Sequence, residues 1–286
     1  LAELRAETYE KFAWPGGLAK LFQRNGLVVS LVTAFSVMLV LMAVLLIQNS
    51  EALWGTHSGP GAFYQVVPYE LMVGAAGGIF LFVILALAMG FHGFWRATRE
   101  VNGGKNGVRQ LLSAVWDVLT LKYLGGAGHG CNTEDEAFSN IRRWFHQIMM
   151  YGFLLCFVST SVATIYDHLF GWQAPYDFWS LPVVLGNLGG IGLLVGPAGM
   201  LWAKLKMDRN TLAKRFYGMD VAFLVLLFAV SLTGLALMGF RETQAMGMLL
   251  AIHLGFVLAL FLVLPFSKFV HAIYRFAALI RFAAER

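Results

Sequence analysis

The sequence predicts an all-α, polytopic membrane bundle of six spanning helices, with both termini on the cytoplasmic side. Hydrophobic residues make up 58% of the 286 residues and charged residues 13%, with mean hydropathy +0.68, a balance foreign to soluble domains. Six runs, about 27–48, 71–95, 141–170, 181–205, 216–239 and 246–271, are long and apolar enough to cross a bilayer as helices. The basic residues are segregated. Connections 49–70 and 171–180 carry no Lys or Arg, and 240–245 carries only Arg241. The other twenty of the 21 lie on the opposite side, which the positive-inside rule assigns to the cytoplasm. Their spread over short loops makes nucleic acid an unnecessary partner for the net charge of +5; membrane lipid is the expected one.

Residues 1–26 are polar and broken at Trp14-Pro15-Gly16-Gly17, reading as a short helix, a turn and an interfacial segment. The membrane domain then occupies 27–275. Span one, Gly26 to Gln48, has no charge and no histidine and suits packing against lipid and neighbours. Loop 49–70 holds Trp54, His57, Phe63, Tyr64 and Tyr69, an aromatic belt in which His57 is expected to be solvated. Span two carries Gly74, Gly77 and Gly78 on a small-residue face suited to close helix approach. It ends at His92, either an interfacial residue or a haem ligand or quinone contact.

The connection 97–140 holds an amphipathic stretch, Val108–Tyr123, expected along the inner membrane surface. A glycine-rich turn with His129 and Cys131 follows; two ligands are too few for a metal site, so it reads as a loop that packs on a partner or caps a cofactor. The cysteines, Cys131 and Cys156, form neither a metal-binding spacing nor a disulfide framework. Span four has glycines at 186, 189, 190, 192, 196 and 199, so one thin face must press on a helix or a flat ligand, and Pro197 is expected to kink it. Span five opens with Asp220, expected to pair with Lys214 or Arg215, with proton delivery to a quinone as the other use. The tail 276–286 continues a basic amphipathic helix.

Span six carries His253 and His271, eighteen residues apart. On an unbroken helix that is five full turns, so both rings point one way, about 27 Å apart along the axis. Pro265 lies between them and softens that register. Span three repeats the pattern with His146 and His168. The two spans run in opposite directions, so His146 falls level with His271 and His168 with His253. Buried imidazoles need partners, and two bis-histidine levels in an apolar bundle point to haem iron. Arg142, Arg143 and Arg275 are placed either to pair inner propionates or simply to satisfy the positive-inside rule.

Three blocks carry a family resemblance: RRWFHQIMMYGFLLCFVSTSVATIYDHLFGWQAPY, LPVVLGNLGGIGLLVGPAGMLWAKLKMDR and RETQAMGMLLAIHLGFVLALFLVLPFSKFVHAIYR. Together with the opening ETYEKFAWP they resemble the tricarballylate/citrate utilisation protein B family over most of the chain. The histidine layout is also similar to that of nitrate reductase gamma subunits, which carry two b haems. The resemblance implies a multi-pass electron-transfer protein of the bacterial cytoplasmic membrane. Such a protein reoxidises a flavoprotein dehydrogenase resembling tricarballylate dehydrogenase and passes electrons through iron–sulfur clusters and haem b to the respiratory chain.

Family members carry an N-terminal ferredoxin-like domain with two CxxCxxCxxxCP runs. None occurs here, and the chain opens with Leu1, so the expectation is that this part holds haem but not clusters. No run resembles a cleavable signal peptide. Two haems are expected, with axial ligands His146 with His271 and His168 with His253, and His92 in reserve. Quinone is the expected acceptor, with His92, Lys268 and Tyr274 as candidate contacts. The chain reads as an electron-transfer subunit rather than a stand-alone enzyme. The competing readings are a small-molecule transporter, for which inverted repeats and mid-membrane charges are not evident, and a passive anchor for a redox partner.

Overall fold

The computed structural model describes residues 2–24, 26–98, 107–123, 139–206 and 217–284. The turn with His129 and Cys131 and the suggested Asp220 partners Lys214 and Arg215 lie outside these residues. The helices run α1 (Ala2–Phe12), α2 (Gly16–Arg24), α3 (Gly26–Ile47), α4 (Ser50–Trp54), α5 (Ala62–Val66), α6 (Tyr69–Ala97) and α7 (Val108–Leu119). They continue with α8 (Ile141–Phe170), α9 (Leu181–Leu205), α10 (Tyr217–Phe240), α11 (Met246–Val263) and α12 (Val270–Ala284), and no strand occurs among the described residues. Six helices are long and apolar enough to cross a membrane: α3, α6, α8, α9, α10, and α11 with the turn that follows it, Met246–Phe266.

The core is built on α11. It buries 44% of its most apolar window, against 6% for α8, so α11 is the centre and α8 the periphery. At the basic end Phe266, Val263 and Ala259 pack with Phe223 and Met219 of α10, Val29 of α3 and Phe22 of α2. At the other end Met246, Leu250 and Ala251 pack with Ala52, Leu53, Ala62 and Val66 of the short helices α4 and α5. Gly255 permits the crossing with α3, since a Cβ there would meet Val37 Cα at 2.5 Å.

The glycines of α9 press it on another helix, one of the two outcomes expected. A Cβ on Gly152 of α8 would lie 2.9 Å from Gly189 O, and one on Gly196 would lie 2.6 Å from Met149 Cβ. Helix α9 runs through Pro197 unbroken. On its other side Ser231 Oγ of α10 donates to Gly190 O at 2.6 Å. Among the described residues α9 is the one helix whose backbone runs close alongside α8. Long side chains bridge α8 to the rest: Phe157 to Phe80 of α6 (ring centres 6.3 Å) and Phe153 to Phe269 (5.2 Å).

Three expectations need correction. The run 246–271 is not one helix. Pro265 has no N–H to continue the ladder, so the chain tightens into a 3₁₀ turn at Leu264–Phe266, extends at Ser267 and restarts as α12 at Val270. The eighteen-residue register between His253 and His271 therefore does not carry across. Gly74, Gly77 and Gly78 of α6 meet nothing within 4 Å, so that face is open rather than closely packed. His57 is not merely solvated: it bonds Gln65 Oε1 at 2.9 Å and Ala52 O at 3.1 Å, tying α4 to α5.

The amphipathic α7 packs against α12, as an interfacial pair would. Its last carbonyls are taken by α8: Arg143 Nη2 donates to Thr120 O and Tyr151 Oη to Leu119 O, each at 3.0 Å. Arg281 of α12 does the same for α6, donating to Trp95 O at 2.7 Å and to Thr98 O while lying over the Trp95 ring.

Candidate functional site: a paired histidine at the basic end

The histidine pair at the basic end comes from α8 and α12, elements 125 positions apart in the chain. The rings of His146 and His271 lie with centres 5.9 Å apart and planes at 80°. Two imidazoles gripping one metal ion from opposite sides, with metal–nitrogen bonds of about 2 Å, would put ring centres about 6 Å apart. His271 Nδ1 donates to Lys268 O, which leaves Nε2 with its lone pair free. His146 Nδ1 is buried without a hydrogen-bond partner. A buried ring nitrogen left bare calls for a ligand or a water. Burial pushes the His271 pKa down to about 4; the ring's own bond to Lys268 O opposes it, the Lys268 and Arg275 charges add to the lowering and Asp220 opposes it least, so the ring is neutral as a ligand must be.

The surroundings are cationic. The charges of Arg142, Arg275 and Lys268 all act on His146. Arg143 instead points at the end of α7. Asp220 sits in the first turn of α10 and accepts from Lys204 Nζ (2.9 Å) and Lys268 Nζ (2.5 Å); it was expected to pair within its own segment. No group of three or more His, Cys, Asp or Glu able to hold a metal occurs among the described residues. Two histidines alone make a poor protein site, but a macrocycle that brings four in-plane nitrogens needs only two axial ligands.

At the other end the expected partners are not brought together. His168 Nδ1 donates to Thr164 O at 3.1 Å and its Nε2 accepts from Tyr69 Oη at 3.1 Å, so both nitrogens are engaged. Next to it, Asp167 accepts from Tyr64 Oη at 3.0 Å. His253 turns toward α10, where its Nδ1 meets Thr233 Oγ1 at 3.1 Å and its ring lies over Gly234. Thr233 gives its own proton to Ala229 O, so Nδ1 of His253 is the donor in that contact. Tyr64 and Tyr69 stood in the sequence only as members of the aromatic belt, and Thr233 and Gly234 were not singled out; Thr233-Gly234, a polar and small pair inside an apolar span, was the available signal.

The three quinone candidates do not converge. Tyr274 is buried among Tyr9, Phe12 and Phe94, Lys268 is held by Asp220, and His92 is exposed. A groove of about 920 Å³ between α3 and α10, floored by Phe256, is apolar. Of the hydroxyl-bearing residues that line it, Ser30 and Thr33 bond carbonyls of their own helix, and Tyr217 stands at its rim.

Comparison with known proteins bears on what such a bundle belongs to. A family model described as Citrate utilization protein B matches residues 20–286. The curated Citrate utilization protein B of Escherichia coli is 44% identical over 290 aligned residues, covering 100% of this chain and 74% of that protein. No solved structure matches the chain. With nearly its whole length matched by the family and by that relative, the chain belongs to the citrate utilization protein B family.

Proposed function

We propose that this chain is a b-type cytochrome of the bacterial cytoplasmic membrane, multi-pass with both termini in the cytoplasm. In this reading it is an electron-transfer subunit that reoxidises a flavoprotein dehydrogenase serving tricarballylate or citrate use and delivers the electrons to quinone. The single observation that carries it is the His146–His271 pair, two imidazoles with ring centres 5.9 Å apart and a buried ring nitrogen of His146 left without a partner.

Haem iron, when bound, supplies a one-electron couple inside the apolar bundle. His146 and His271 would hold it. Arg142 and Arg275 would pair its carboxylates, and the apolar side chains of α8 and α11 would keep water from it. At the far end His253, and His168 after leaving Tyr69, would hold a second haem. Support there comes from His253. Two cysteines cannot supply the four thiolates of an iron–sulfur cluster, so cluster chemistry would belong to another domain or a partner.

A reduced-minus-oxidised spectrum of the detergent-purified protein, with haem counted per chain and quinol offered as reductant, tests the reading. A b-type band that responds to quinol is expected. A protein without a haem band would refute it and leave an anchor or transporter.

A further inference from the structure

The break between α11 and α12 is organised around Lys268. Ser267 Oγ donates to Leu264 O at 2.9 Å and accepts from Phe269 N at 3.2 Å, so one hydroxyl closes the turn and starts the next helix. Lys268 then faces two ways. Its carbonyl accepts from His271 Nδ1, and its Nζ reaches Asp220 Oδ2 at 2.5 Å. The same Asp220 oxygen takes Lys204 Nζ of α9 at 2.9 Å. The Asp220 and Lys204 side chains are each 12% exposed, so water does not loosen this end of the link. One carboxylate oxygen thus joins α9, α10 and the turn that presents His271. Asp220 lies at the start of α10, where the helix dipole favours a carboxylate.

We infer that Asp220 is a positioning residue for His271: by holding Lys268 it fixes the carbonyl that sets the tautomer and direction of the imidazole. The inference rests on His271 acting as a haem ligand. Asp220 itself touches no iron. A partner of this kind, bonded behind a ligating histidine, fixes ring orientation and basicity, and its loss costs about 10-fold or more in ligand affinity.

The test uses the full chain in lipid nanodiscs and three variants, Asp220→Asn, Lys268→Met and Asp220→Glu. Lys268→Met keeps the carbonyl and removes only the amine. Hydrogen exchange of residues 267–272 on haem-free protein reads the clamp alone; haem affinity and the low-spin electron paramagnetic signal read its effect on His271. Both Asp220→Asn and Lys268→Met should speed exchange, weaken haem about 10-fold and shift the low-spin signal. The double variant should be no worse than either, and Asp220→Glu should recover part of the loss. Unchanged exchange in both single variants overturns the clamp. Faster exchange with wild-type affinity and signal overturns the positioning role. A wild-type protein that binds no haem overturns both the cytochrome reading and the role given to Asp220, with exchange still showing whether the clamp exists.

Discussion

Replacing Gly152 with Ala tests the packing that holds α8 in place. The added methyl would stand 2.9 Å from each of three backbone atoms, Gly189 O, Gly192 C and Leu193 N. Backbone cannot rotate away as a side chain can, and ordinary contacts need about 0.5–1 Å more, so α8 and α9 must part locally. Overpacking of this kind costs about 1–3 kcal/mol, while replacing a helical glycine returns about 1 kcal/mol at most. The net expectation is a loss of about 1–2 kcal/mol, a factor of about 5–30 in the folded-to-unfolded ratio. Denaturant titration in mixed micelles would measure it, with Gly77→Ala as control because nothing lies within 4 Å of that position. The control should be neutral or slightly stabilising. Gly189→Ala meets Cys156 N and Gly152 O at 2.8 Å across the same contact, so combined with Gly152→Ala it should cost less than the sum. A Gly152→Ala protein as stable as wild type would refute the close α8–α9 packing.

Other consequences follow from single contacts. Tyr64→Phe removes the hydroxyl that donates to the nearly buried Asp167, and should cost about 1.5–3 kcal/mol in the same titration. Arg281→Met strips the donors from Trp95 O and Thr98 O, so hydrogen exchange near the end of α6 should quicken while the rest of α6 keeps its protection. Tyr274 is pushed up to about 12, first by burial and then by Tyr9. Above pH 10 the unfolded chain loses that proton and the folded one keeps it, so stability should fall from pH 10 toward 12. Tyr274→Phe, measured at pH 9 and 11, should show the smaller fall.

Much of the architecture is legible from hydropathy because each span is a separate, nearly uncharged run, and the described helices match the six runs closely except at the end of the last. That end was hidden because Leu264, Phe266 and Phe269 keep the run apolar through Pro265, and hydropathy does not register a lost N–H. The glycines of α9 announced a close contact, and Gly152 on α8 answers it; those of α6 look the same in sequence but face open space, since a small-residue stripe does not name its partner. The matching levels of His146 and His271 could be read from antiparallel spans, although the helical register across Pro265 played no part in bringing the rings together. The attachments of His168 to Tyr69 and of His253 to Thr233 depend on rotations of distant helices that no local pattern encodes.

The most direct test of the account is the haem content of His146→Ala and His271→Ala beside wild type, measured by difference spectrum on membrane-inserted protein. Loss of the same b-type component in both variants, with insertion retained, is the predicted result. Wild-type haem content in either variant would contradict it.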